Sequence, residues 1–179
     1  MPHIATVSPA EASGELAETY GQIQAVLGGV PASLQLTSLS PLLTRNQWEF
    51  IGYYIGHPTL SGPLIAFLRF CVSREFQCDY CIGFNGGLLV NRYGWTADQL
   101  AAAKRDIDAA PLSEKEKALV RYAVDAVRSA GRVERAELDS LRQLGWSDRD
   151  ILDALMHAAR NMSADIVINA FGLEEETAL

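Results

Sequence analysis

Cys78 and Cys81, in the stretch Glu75-Phe76-Gln77-Cys78-Asp79-Tyr80-Cys81-Ile82-Gly83-Phe84-Asn85, are the residues of this chain best placed to do chemistry. At C-x-x-C spacing both side chains project from one face if the pair opens a helix. The partly positive helix N-terminus then favours a thiolate over a thiol. A thiolate beside a second thiol can attack a disulfide or a peroxide and then be resolved by its neighbour. Zinc is the competing use of such a pair. A structural zinc site needs four ligands, and beyond the pair the chain offers only Cys71 and the separated His3, His57 and His157. We therefore expect neither a metal nor a bound cofactor. A thioredoxin-like setting requires a strand before the motif, and the residues before it read as helix. The plain alternative, cysteine as a small core residue, suits Cys71, which lies within an apolar run.

The elements that must position the pair read as helices throughout, which predicts an all-α fold. Ser8-Pro9-Ala10-Glu11 has the form of a capping box with proline in the first turn. It predicts a helix from there to about Leu27, stopped by Gly28-Gly29. Residues 30–37 predict a short helix, and Ser40-Pro41 opens a longer one that ends before His57-Pro58. After the cap Ser61-Gly62-Pro63, residues 64–76 are apolar nearly all round, as in a helix buried in a core or a subunit interface. The cysteine helix follows to about Tyr93 and Gly94. Thr96 starts a short helix. Ser113-Glu114-Lys115-Glu116 caps an amphipathic one with Leu119, Val120, Ala123, Val124 and Val127 on its apolar face. Residues 132–144 form another. Ser147-Asp148-Arg149-Asp150 caps a long last helix with Ile151, Leu155, Ala158, Met162, Ile166 and Ile168 along its stripe. Gly172 closes it, and Glu174-Glu175-Glu176 reads as a solvated tail. Trp48, Trp95 and Trp146 read as core.

Composition narrows the partners. With 15 basic against 22 acidic residues the net charge is −7 and there is no basic cluster, which argues against nucleic acid and against an anionic membrane surface. No apolar run is long enough to span a bilayer. The N-terminus lacks the pattern of a signal peptide, and three cysteines make no secreted disulfide framework. These features predict a cytoplasmic protein.

Cys78-Asp79-Tyr80-Cys81, set between an apolar helix and a second helix, resembles the motif of the AhpD-like (carboxymuconolactone decarboxylase-like) alkylhydroperoxidases. Residues 57–93 align with their core. Residues 112–173, with the Gly145-Trp146-Ser147-Asp148 turn, resemble the C-terminal part of the peroxidase-related branch. The resemblance implies a single AhpD-like domain over residues 1–179 that assembles as a homo-oligomer (dimer, trimer or hexamer). It also implies a peroxidase or disulfide reductase that needs no cofactor. Carried over, Cys81 attacks a small hydroperoxide, Cys78 donates a proton and closes the disulfide, and a dithiol protein resets the pair. Tyr80 matches the aromatic between the cysteines, although a half-buried core aromatic explains it equally well.

The family pattern continues to a histidine, where this chain has Asn85, and carries a glutamate twelve residues before the first cysteine, where it has Ala66. An amide has no titratable proton near neutral pH. Asn85 could hydrogen-bond the Cys81 region or fill a packing slot before Gly86-Gly87. Glu75, three residues before Cys78, is a candidate proton acceptor if one helix runs through both; otherwise it is a solvated charge near a helix end. His57 and His157 are further candidates to fold over the sulfurs. The expected function is thus a thiol-dependent peroxidase. The alternatives are a disulfide oxidoreductase without peroxide chemistry, or a non-catalytic redox-sensing or assembly protein of the same fold. A lactone-acid decarboxylase fits least, because relatives of that kind lack the paired cysteines.

Overall fold

The computed structural model describes residues 2–174. Among them are nine α-helices and no strand. In chain order these are α1 (Gly14–Leu27), α2 (Ala32–Gln35), α3 (Pro41–Ile55), α4 (Gly62–Glu75), α5 (Asp79–Gly87), α6 (Ala97–Arg105), α7 (Glu114–Arg128), α8 (Arg135–Gln143) and α9 (Asp148–Ala170). A π-helical turn, Leu88–Arg92, extends α5, and a 3-10 turn, Ile107–Ala109, precedes α7. Among the described residues no helix is long and apolar enough to cross a membrane.

The expected caps are formed at several starts. Thr96, Ser113 and Ser147 each complete a reciprocal capping box with the residue three positions on, which satisfies two otherwise unpaired backbone donors. Ser61 accepts from the Leu64 N–H. The first cap differs from the sequence reading. Ser8 and Glu11 do pair, with Ser8 Oγ donating to the Glu11 carboxylate at 2.6 Å, but they close an isolated turn, and α1 begins only at Gly14. Gly14 has φ 55°, a left-handed conformation that separates the turn from the helix. Of the acidic tail, Glu174 is exposed, whereas Glu175 and Glu176 lie outside the described residues.

α4 is the axis. Leu64, Phe67, Leu68, Phe70, Cys71 and Val72 are all buried, because α5, α7 and α9 pack around it. The apolar stretch is therefore enclosed by its own chain. Trp95 and Trp146 belong to this main core, and Trp48 joins Leu16, Tyr20, Ile23 and Leu34 in a second one built by α1–α3. Gly86 also finds its close neighbours within the chain: a Cβ there would lie 3.4 Å from Leu100 and 3.6 Å from Phe70.

α9 departs from the predicted stripe. Its buried side runs through Ile151, Ala154, His157, Ala158, Asn161, Asp165 and Ile168. Ile166, assigned to the core by sequence, is 53% exposed. The face is polar over its second half because it meets the polar side of α4, as described below. The central packing should be intolerant of a void. Truncating Phe67, which is fully buried, by Phe67→Ala is expected to cost about 3–5 kcal/mol of unfolding free energy in a urea titration.

Candidate functional site

The cysteines are placed by a break between α4 and α5. The Cys78 N–H donates to Ser73 O at 3.0 Å and the Gln77 N–H to Arg74 O at 3.3 Å, with Gln77 at φ 52°. This is the Schellman arrangement, with glutamine in the left-handed position that usually holds glycine. The helix therefore does not run through from Glu75 to Cys78. Cys78 becomes the N-cap of α5 and Cys81 stands in its first turn, where the helix dipole favours negative charge.

Both thiols are free and buried, in a small cluster with Leu36, Tyr80 and Ile168. The third member of the chemical cluster comes from α9. The two sulfurs and a carboxylate oxygen of Asp165 lie within 4.8 Å of one another. Ser73 Oγ donates to Asp165 Oδ1 at 2.9 Å, and Asn161 Nδ2 donates to Asp165 Oδ2 at 3.0 Å. Asn161 also meets Ser73 Oγ at 2.9 Å and accepts from Arg69 Nε at 3.2 Å. Arg69 and Ser73 on α4, and Asn161 and Asp165 on α9, are i,i+4 pairs whose faces interlock.

Burial pushes the Asp165 carboxyl above its ordinary range, against hydrogen bonds from Cys81, Ser73 and Cys78 and the field of Arg69. Asp165 is therefore suited to carry a proton at higher pH than an exposed aspartate does. Within the cysteine pair, proton sharing with the Cys81 thiol holds Cys78 below the ordinary thiol value, against burial. The same sharing pushes Cys81 far up, with burial and the Asp165 charge adding to it. One proton thus leaves the pair readily and the second does not. Cys71 stands apart: burial raises its thiol to about 12, as befits an inert core residue.

The remaining sequence candidates are placed as follows. Both carboxylate oxygens of Glu75 accept from Arg128 at 2.8 Å, and that pairing lowers its pKa. Once α4 ends at Glu75, its side chain turns to α7 rather than to the sulfurs. Asn85 is buried and donates to Cys81 O at 2.8 Å; it ties the Cys81 backbone, and its Oδ1 has no partner. Tyr80 is buried on α5, and its hydroxyl meets Ser33 of α2 at 3.3–3.4 Å. His57 hydrogen-bonds Asp153 at 3.1 Å. His157 packs on Tyr54 and Phe50.

One cavity borders Cys81, and a second shares lining residues with it. The first, of about 260 Å³, is lined by Cys81, Tyr80, Phe84 and Arg69. The second, of about 140 Å³, is lined by Arg69, Phe84, His157, Tyr54 and Tyr93. Cys81 borders the first of these, whereas Cys78 is wholly buried. As metal ligands, Cys78, Cys81 and Asp165 form the one group of three donors found among the described residues. Both oxygens of Asp165 are already engaged, and a fourth ligand would have to come from outside the group.

No protein-family model and no curated protein matches the sequence. Solved structures do match in shape. A peroxidase-related protein from Ralstonia eutropha JMP134, described as an alkylhydroperoxidase AhpD core, superposes with a TM-score of 0.81 over 98% of this chain and 93% of its own, at 19% identity. The fold is AhpD-like. A peroxidase-related protein from Silicibacter sp. TM1040 gives a TM-score of 0.76 at 21% identity, covering 96% of this chain and 92% of that one. The debrominase Bmp8 gives 0.77 at 15% identity, covering 96% and 91%, and a cysteine-to-alanine form of it was solved with 2,3,4-tribromopyrrole.

Within this AhpD-like fold, sequence reasoning brought the two cysteines to one helix start but missed Asp165. Its signal was available as the spacing His157, Asn161, Asp165, which repeats a polar residue every fourth position beside Ala154 and Ala158. The raised Asp165 pKa has a testable sign. Unfolded, the carboxyl titrates near about 3.9. The native protein keeps the proton to higher pH, so stability present at acid pH is lost as pH rises through the folded value. The stability of the wild type relative to Asp165→Asn should therefore fall as pH rises above about 4, as read by urea unfolding. A gap that is constant or widens with pH contradicts the assignment.

Proposed function

We propose that this protein is a thiol-dependent peroxidase run by Cys78, Cys81 and Asp165. The observation that carries the reading is the buried Asp165 carboxyl beside both sulfurs. It supplies the proton carrier that neither Asn85 nor Ala66 can be. Cys81 is the attacking residue, because it borders a cavity, and Cys78, sealed from that cavity, is the resolving one.

In the first step the Cys81 proton passes to the Asp165 carboxylate, and the Cys81 thiolate attacks the terminal oxygen of a hydroperoxide. An S–O bond forms as the O–O bond breaks. The departing alkoxide takes a proton from the acid group and leaves as the alcohol. In the second step Asp165 takes the proton of the Cys78 thiol, the Cys78 thiolate attacks the Cys81 sulfenic acid, the S–S bond forms, and hydroxide leaves as water with that proton from Asp165. Peroxide is reduced by two electrons, and the two thiols are oxidised to a disulfide. A dithiol protein in a reducing compartment restores the pair by exchange.

The fold neighbours support peroxide or another small electrophile as substrate, since two are peroxidase-related and a third is a debrominase. Homo-oligomerisation belongs to the same proposal. Leu42, Leu43 and Ile55 of α3 and Leu152 and Met156 of α9 are exposed, leaving apolar surface that a second copy could cover.

With one equivalent of an organic hydroperoxide, the wild type should lose both thiols of the pair and form a disulfide. Cys78→Ser should stop at a sulfenic acid, seen by intact mass as the gain of one oxygen and by dimedone capture. Cys81→Ser should consume no peroxide above the uncatalysed rate. Unchanged consumption in Cys81→Ser defeats the proposal.

A further inference from the structure

The two cavities share a wall made of Ser33, Leu34, Ile51, Arg69 and Phe84. Arg69 is the charged group on that wall. Its Nε is spent on Asn161 and its guanidinium lies 5.9 Å from the Phe84 ring centre. It forms no ion pair among the described residues. A guanidinium carries five N–H donors in a fixed fork; among the described residues only the Nε–H of Arg69 has a partner, and the residue lines both cavities. Burial works against its charge, a cost that an anionic partner would offset.

A second observation points the same way. His157 lines the smaller cavity, is 5% exposed, and has no hydrogen-bond partner for either ring nitrogen. Buried polar atoms are nearly always paired. Burial and then the Arg69 charge hold the ring well below its ordinary pKa, so it is neutral and offers one N–H donor. The remaining lining fits this pattern. Among the described residues no aspartate or glutamate borders either cavity, although acidic residues outnumber basic ones 22 to 15 in the chain, whereas Arg69, Arg92 and Arg160 do. Leu34, Ile51, Ile65 and Leu88 provide apolar surface.

We propose that the double cavity selects a compact apolar acid, with its carboxylate seated between Arg69 and His157 and its apolar body lying past Phe84 toward Cys81. The planar fork of Arg69 matches a carboxylate in two-point contact, and the His157 N–H supplies a third donor. The substrate class is thus an organic hydroperoxide that also bears an acid group. This deepens the peroxidase reading and rests on it for the reaction, though not for the binding.

The test is calorimetric titration of the full chain with octanoate and with 4-isopropylbenzoate, each compared with its primary amide. It is run on wild type and on Cys81→Ser, which binds without turning over. Each body tests the charge requirement separately, and the two together distinguish a straight-chain ligand from a ring. At least one acid should bind about tenfold more tightly than its amide in both proteins. Arg69→Gln, which can retain the bond to Asn161, should abolish that preference, and His157→Phe should weaken the acid severalfold. Equal binding of acid and amide by the wild type overturns the proposal even if Arg69→Gln fails to fold. Absence of binding by all four compounds does so as well. A protein that binds the acid but consumes no peroxide would retain this site and lose the peroxidase reading; one that consumes peroxide without preferring the acid would do the reverse.

Discussion

The site depends on one buried carboxyl. Asp165 sits where α4, α5 and α9 meet, with no exposed surface, and an isolated buried carboxylate is costly. The cost is offset by Ser73 and Asn161, and Asn161 is in turn fixed by Arg69. Those residues can interlock only if α4 and α9 keep their register. The register places the start of α5 over Asp165 through the Schellman turn at Gln77. Packing and chemistry thus share the same side chains. Removing one partner would strand another buried polar group, at a cost of about 1–3 kcal/mol each.

This geometry gives two chemically identical residues different surroundings. Cys78 is the N-cap and is sealed, whereas Cys81 is one turn further on and borders a cavity. Proton sharing lowers the Cys78 thiol and raises that of Cys81, so the pair gives up its first proton more easily than its second. The raised Asp165 carboxyl adds a further proton site beside them.

Much of the fold was legible because it follows local rules. Apolar periodicity and the caps at Ser61, Thr96, Ser113 and Ser147 locate the helix starts, and the nearly all-apolar α4 reads as a helix buried in a core or a subunit interface. The first cap misled because Ser8 and Glu11 satisfy their pairing in a turn without propagating it. Glu75 was a candidate only if one helix continued to Cys78, and the left-handed Gln77 ends that continuity. Asp165 was missed for a different reason. A polar residue on a mostly apolar helix is ordinarily assigned to the solvent side, and only the partner face on α4, contributed by residues some ninety positions earlier, makes the polar side the buried one. Long-range complementarity of that kind leaves little mark on either helix alone.

The most direct test of the account is the rate at which Cys81 is oxidised in a single turnover, compared by rapid mixing with an organic hydroperoxide in wild type and Asp165→Asn. If Asp165 carries the proton, the variant should react slower by roughly 10²-fold or more, the usual contribution of a positioned acid–base group, while its thiols remain free and its helical content is unchanged. Equal rates in the two proteins would mean that the cysteine pair works without Asp165, and would contradict the central claim.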